Sequence, residues 1–152
     1  MLRYLNRFVV NNLKSSDSYF TMAAARFKRT SLSVQFAGAG HPPAIIVSPG
    51  KPPRLLESNS MILGLFDAAV SLEATIETAM HSGDRLLIYT DGLTERFNLD
   101  GDMLGVDGLA AIVRDTSTLG LAQMKQEILT RVNAWSVGPA ADDVSLVAVE
   151  IT

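Results

Sequence analysis

Gly83-Asp84-Arg85-Leu86-Leu87-Ile88-Tyr89-Thr90-Asp91-Gly92-Leu93-Thr94-Glu95 is the most informative stretch of this chain. Residues 84–90 are apolar on both faces at their centre, as expected of a strand inside a sheet. That strand ends in a carboxylate, Asp91, followed by Gly92. A second run, residues 143–151, is also apolar on both faces and starts from Asp142-Asp143. If the two strands are antiparallel neighbours, their acidic ends meet at one edge of a sheet. Strands sit ~4.8 Å apart, close enough for Asp91 and Asp142 to share one cation. Clustered carboxylates raise each other's pKa unless a cation intervenes. An alternative stands beside this one. Asp-Gly is a common turn dipeptide, and Asp142-Asp143 also reads as a solvated turn before a strand. Spacing alone does not separate the two readings.

Working outward, the pattern predicts a helix over 1–13, with Leu2, Leu5, Val9 and Leu13 at helical spacing and Phe8 on the same face. Residues 11–18 are polar and predict a turn. Strands are predicted over 19–28 and 31–38, the latter with Leu32, Val34 and Phe36 on one face. Five of the six prolines lie between Pro42 and Pro53 and bracket a strand, Ala44 to Val47. Ser48-Pro49-Gly50-Lys51 is a turn signal, with Arg54-Leu55-Leu56 as the return strand. Residues 69–78 alternate as a further strand through Val70, Leu72, Ala74 and Ile76. Val106, Leu109, Ile112 and Val113 fit one helix. Leu121, Met124, Ile128, Val132 and Trp135 fit a longer one, capped by Ser117 or Thr118. Met22, Met61 and Trp135 are read as core. Consecutive strands joined by hairpins, with helices in pairs, predict an α+β domain of antiparallel sheet with helices packed outside.

The chain has 152 residues, 47% of them apolar, which suits one globular domain rather than disorder. A net charge of −3 leaves no basic footprint for nucleic acid and no polybasic membrane signal. Arg3, Arg7 and Lys14, without an acid in 1–16, superficially suit a targeting presequence, but the helical spacing favours a core helix and a cytoplasmic protein. The absence of cysteine rules out disulfides, thiolate zinc sites and cysteine nucleophiles. With only His41 and His81 as histidines, any metal chemistry rests on carboxylates, which favour Mg²⁺ or Mn²⁺.

The 83–95 stretch resembles the "G-D-x-L-L-L-Y-T-D-G-x-T-E" segment of SpoIIE/RsbU-like phosphatases. Ala37-Gly38-Ala39-Gly40-His41-Pro42-Pro43 resembles their "N-A-G-H-P-P" hairpin, and Ile62-Leu63-Gly64-Leu65-Phe66 their "P-L-G-L-F". Ala141-Asp142-Asp143-Val144-Ser145-Leu146 resembles their closing "A-D-D-x-T-L", and Leu5-Asn6-Arg7 their first helix. These motifs fall in family order along nearly the whole chain. The resemblance implies a PPM-type layered antiparallel β-sandwich flanked by helices. It also implies two Mn²⁺ or Mg²⁺ ions in the complete domain, activating a water that attacks phosphoserine or phosphothreonine directly. Asp91 and Asp142 match the metal ligands, and no catalytic residue beyond them is implied. Asp143 occupies a place that orients the site. Glu95 falls where some relatives hold a weaker ion, although a solvated acid is the plainer reading, and Gly92 adjoins the ligand. His41 is read as structural.

The family also has N-terminal strands with a bridging "G-D-x-x-D" aspartate and a "D-V-x-G-H-G" stretch. Neither is found before the helix that starts near Met1. Residues 1–152 are therefore expected to be a single, partial domain, either a fragment or a natural remnant, poor in catalysis by itself. The implied partner is a phosphorylated STAS-type anti-sigma-factor antagonist, with a sensor or receiver domain N-terminal in the parent protein. The competing expectation is a non-catalytic module that binds a partner or forms a homodimer.

Overall fold

A computed structural model describes residues 1–12, 19–57, 60–65, 75–138 and 140–152. The order of elements is α1 (Leu2–Asn12), β1 (Met22–Lys28), β2 (Ser33–Ala39), β3 (Ala44–Val47), β4 (Arg54–Leu56), β5 (Thr75–Ala79) and β6 (Arg85–Tyr89). A 3-10 turn at Asp91–Leu93, then α2 (Gly105–Thr116), α3 (Leu121–Trp135) and β7 (Leu146–Glu150) follow. All strand pairs are antiparallel. The chain is thus a mixed α+β protein with antiparallel sheets and, among the described residues, three α-helices, and it forms two compact units.

The first unit, residues 1–41 and 57–79, holds α1 and a sheet ordered β1-β2-β5. Leu2 packs with Ala37, Ala39 and Leu63, and Leu5 and Met22 join partway. Asn6 is buried because its Oδ1 accepts the Gly64 amide at 2.9 Å, which ties the first-helix motif to the Leu-Gly-Leu motif. Phe8 does not share the buried face as expected; it is exposed, and Val9 and Val10 are buried instead. Two adjacent apolar residues on a helix differ by ~100°, so sequence spacing fits either face. The strand expected over 19–28 starts at Met22, after an isolated bridge between Phe20 and Leu63. Leu32 lies in the turn rather than on the strand face, at φ 43° and 52% exposed. Met61 is exposed rather than core. Leu13, Lys14, the rest of the 13–18 turn, Phe66, and Val70, Leu72 and Ala74 of the expected 69–78 strand lie outside the described residues.

The second unit, residues 42–56 and 80–152, is a sheet ordered β4-β3-β6-β7 with α2 and α3 on one face. Ile45, Val47, Leu87 and Tyr89 meet Leu109, Val113, Met124, Ile128 and Val132 in its core. The β3–β4 hairpin turns at Ser48-Pro49-Gly50-Lys51, where Lys51 N donates to Ser48 O and Gly50 takes φ 70°. Arg85 is buried on the helix side. Its Nε donates to Glu150 at 2.6 Å and its Nη1 to Ser117 O at 2.9 Å, at the negative C-terminal end of α2. Ser117 is therefore the C-cap of α2, its hydroxyl donating to Arg114 O. The N-cap of α3 is Gly120, neither Ser117 nor Thr118. Trp135, expected in the core, is 42% exposed at the last position of α3. β7 is an edge strand: Leu146, Ala148 and Glu150 turn inward, while Val147 and Val149 are exposed. The expectation that both of its faces are covered is corrected accordingly.

Candidate metal centre

β6 and β7 are neighbours, in register Tyr89↔Leu146 through Arg85↔Glu150. The antiparallel pairing brings the end of one and the start of the other to the same edge, as the acidic runs predict. The ladder continues one step beyond the strands, where Thr90 N donates to Ser145 O at 3.1 Å. The Thr90 hydroxyl then crosses to the other segment. It donates to Asp143 O at 2.7 Å and accepts the Ser145 amide at 2.8 Å. One hydroxyl thus satisfies two backbone groups that a tapering ladder leaves open.

Gly92 explains the Asp-Gly pair differently from the turn reading. Its φ is not positive, so no left-handed turn requires glycine here. A Cβ at this position would lie 2.6 Å from Asp143 O and 3.0 Å from Asp142 O. Glycine is needed because the Asp142-Asp143 backbone passes directly against it. The 3-10 turn is closed by Thr94 N and Glu95 N, which donate to Asp91 O at 2.8 and 2.7 Å. Asp91 is half-buried; Asp142, Asp143 and Glu95 are exposed. Asp142 Oδ1 accepts the Asp143 amide at 2.7 Å, which holds the carboxylate against its own backbone.

The structure therefore brings together the segments of Asp91, Gly92, Asp142 and Asp143, while the Glu95 side chain stands in solvent. The donor set is all oxygen, suited to a hard divalent cation. Among the described residues no group of three or more His, Asp or Glu converges as a complete metal cage. Sequence reasoning missed the cross-strand role of Thr90, although it directly precedes the acid at a strand end, where an open ladder invites a hydroxyl.

The SpoIIE family profile, described as Stage II sporulation protein E, matches residues 1–152, and the chain belongs to that family. Among solved structures, the PP2C domain of SiaA from Pseudomonas aeruginosa is 18% identical with a TM-score of 0.82, covering 97% of this chain and 58% of that one. A Mycobacterium tuberculosis protein with RsbU and RsbW domains is 24% identical with a TM-score of 0.71, over 97% and 45%. The phosphatase domain of SpoIIE from Bacillus subtilis, presoaked with Mn, is 15% identical with a TM-score of 0.62, over 93% and 59%. The fold is thus that of PP2C-like phosphatase domains, and the chain spans less than two thirds of each of these chains. A search of curated proteins by sequence finds no match.

Proposed function

We propose that this chain supplies the Asp91/Asp142 part of the metal centre of a metal-dependent protein serine/threonine phosphatase. The observation that carries the reading is the contact of the Asp91-Gly92 turn with the Asp142-Asp143 backbone, stitched by Thr90. Asp91 and Asp142 hold a Mn²⁺ or Mg²⁺ ion, and Asp143 orients the loop beside it. When bound, such an ion polarises a water for attack on phosphorus. The chain's own residues fix the two anionic ligands and exclude side-chain bulk between them. The chain has no cysteine to act as a nucleophile, which suits direct attack by water. Family membership supports a phosphoserine or phosphothreonine substrate on a regulatory protein of STAS type, with a sensor or receiver domain controlling the enzyme. No helix among the described residues is long and apolar enough to cross a membrane.

A second reading, a module for partner binding or homodimerisation, is favoured by the edge position of β7 with Val147 58% exposed. Mn²⁺-dependent hydrolysis of a phosphoserine protein by the enzyme purified as its own cell makes it separates the two. Asp91→Asn and Asp142→Asn are each expected to lower turnover by about 100-fold or more with an unchanged circular dichroism spectrum, because each removes an anionic ligand from a hard cation. Full activity in both variants would overturn the metal assignment.

A further inference from the structure

Arg96 is 5% exposed, yet it lies five residues beyond Asp91 in a segment whose neighbours are solvent-facing. Its Nη2 donates to Asn133 Oδ1 at 3.3 Å, to Ser136 Oγ and to Gly138 O at 3.3 Å. All three acceptors are neutral. They sit at the C-terminal end of α3, where the helix dipole is negative, and in the loop that runs on to Asp142. Its Nε is buried without a hydrogen-bond partner. A buried cation with an unsatisfied donor is destabilising, so sheer stability is a poor reason for arginine here.

The connections supply a better one. Arg96 O also accepts the Leu104 amide at 2.8 Å, so its own backbone is anchored to the start of α2. Gly138, at the far end of the guanidinium's reach, lies four residues before Asp142. Arg96 further borders a cavity of about 290 Å³ that Leu93 and Val144 also line. Leu93 follows Asp91 by two residues and Val144 follows Asp142 by two. Both ligand segments therefore border one space, and Arg96 spans from the first to the loop that feeds the second.

We propose that Arg96 is a positioning residue for the metal centre: its guanidinium fastens Ser136 and Gly138, shortly before Asp142 in the chain, to the Asp91 segment and so sets where Asp142 stands. The claim rests on Asp91 and Asp142 being ligands. Thr90 and Gly92 fix the loop beyond Asp142, at Asp143 and Ser145, and Arg96 fixes it before Asp142. All three bonds come from Nη2, at the far tip of the side chain, which a lysine ammonium on its shorter stem does not reach.

The test uses Arg96→Ala, Arg96→Lys and, as a control, Arg131→Ala, whose exposed side chain pairs with Glu127. Mn²⁺ titration calorimetry and amide hydrogen exchange are read on each. The expected result is about 10–100-fold weaker Mn²⁺ binding in Arg96→Ala, the range for groups that orient metal ligands. Arg96→Lys recovers only a minor part of that, and Arg131→Ala matches the wild type. Amides of residues 140–145 exchange faster in both Arg96 variants, while those of β3 and α2 do not. In an Asp142→Asn background, Arg96→Ala causes no further loss of affinity. Mn²⁺ binding that changes no more than in Arg131→Ala overturns the proposal, and so does faster exchange spread evenly over β3, α2 and α3. A wild-type chain that takes up no Mn²⁺ overturns the ligand reading itself, and the role of Arg96 in metal binding with it.

Discussion

Gly92 and Tyr89 stand on either side of the Thr90-Asp91 pair and are constrained in opposite ways. Gly92→Ala puts a methyl group 2.6 Å from a backbone oxygen, which cannot swing aside as a flexible side chain would. The Asp142-Asp143 segment must move, at about 1–3 kcal/mol of stability by analogy with overpacked sites. If Asp142 is a ligand as proposed, calorimetry should show at least about 10-fold weaker Mn²⁺ binding, since the moved segment carries it. Tyr89, by contrast, buries a hydroxyl with no partner, and burial raises its pKa above the ordinary 10.0. The folded pKa exceeds the unfolded one, so this contribution to stability is intact below pH 10.0 and is lost as the pH rises beyond it. Tyr89→Phe removes both the orphaned hydroxyl and the titration. Urea unfolding should find the variant at least as stable as wild type at neutral pH, by up to about 1 kcal/mol. It should also find a weaker decline above pH 10.0.

At the scale of elements, the β1-β2-β5 sheet carries its own acid-sensitive device. Glu77 accepts from Lys28 Nζ at 2.9 Å, from Ser33 Oγ at 2.9 Å and from Gln35 Nε2 at 2.8 Å, linking all three strands on one face. Led by the Lys28 hydrogen bond, these donors hold its carboxyl down at about 2, from an ordinary 4.5. The folded pKa is depressed, so the stabilisation is present above pH 4.5 and fades as the pH falls toward 2. Glu77→Gln should flatten the acid limb of a stability-against-pH curve in that window, and Lys28→Ala should flatten it in part. Added salt should weaken the effect, because the group is open to solvent. Period-two alternation pointed to β2 and, through Ile76, to β5, but it gave no hint of the trio around Glu77. The three donors and the acid are set by cross-strand register, which depends on pairings 42 to 49 residues apart.

For the whole chain, the sequence was most legible where patterns are strong and local. The β3–β4 hairpin, α2, α3 and the inner position of β6 follow from proline placement, helical spacing and a two-faced apolar run. It was least legible where solvent on one side had to be known. Val147 and Val149 look like core residues until β7 is seen at the edge, and Trp135 fits the apolar stripe of α3 until the helix ends beside it. The adjacency of β6 and β7 was legible because two apolar runs with acidic ends suffice to suggest an antiparallel pairing. Arg96 was not, because an arginine in an irregular segment resembles any solvated cation until the far loop folds over it.

Asp91 and Asp142 are separated by 142 − 91 = 51 residues, with both α2 and α3 made between them. At a synthesis rate of ~5–20 residues per second, a ribosome needs several seconds to pass from one to the other. Through that interval a growing chain holds Asp91 without Asp142. Only the docking of β7 beside β6 brings the second into place. A nascent chain, or one clipped by a protease between α3 and β7, therefore lacks half of this acidic edge, and under the proposed function it has no early metal centre.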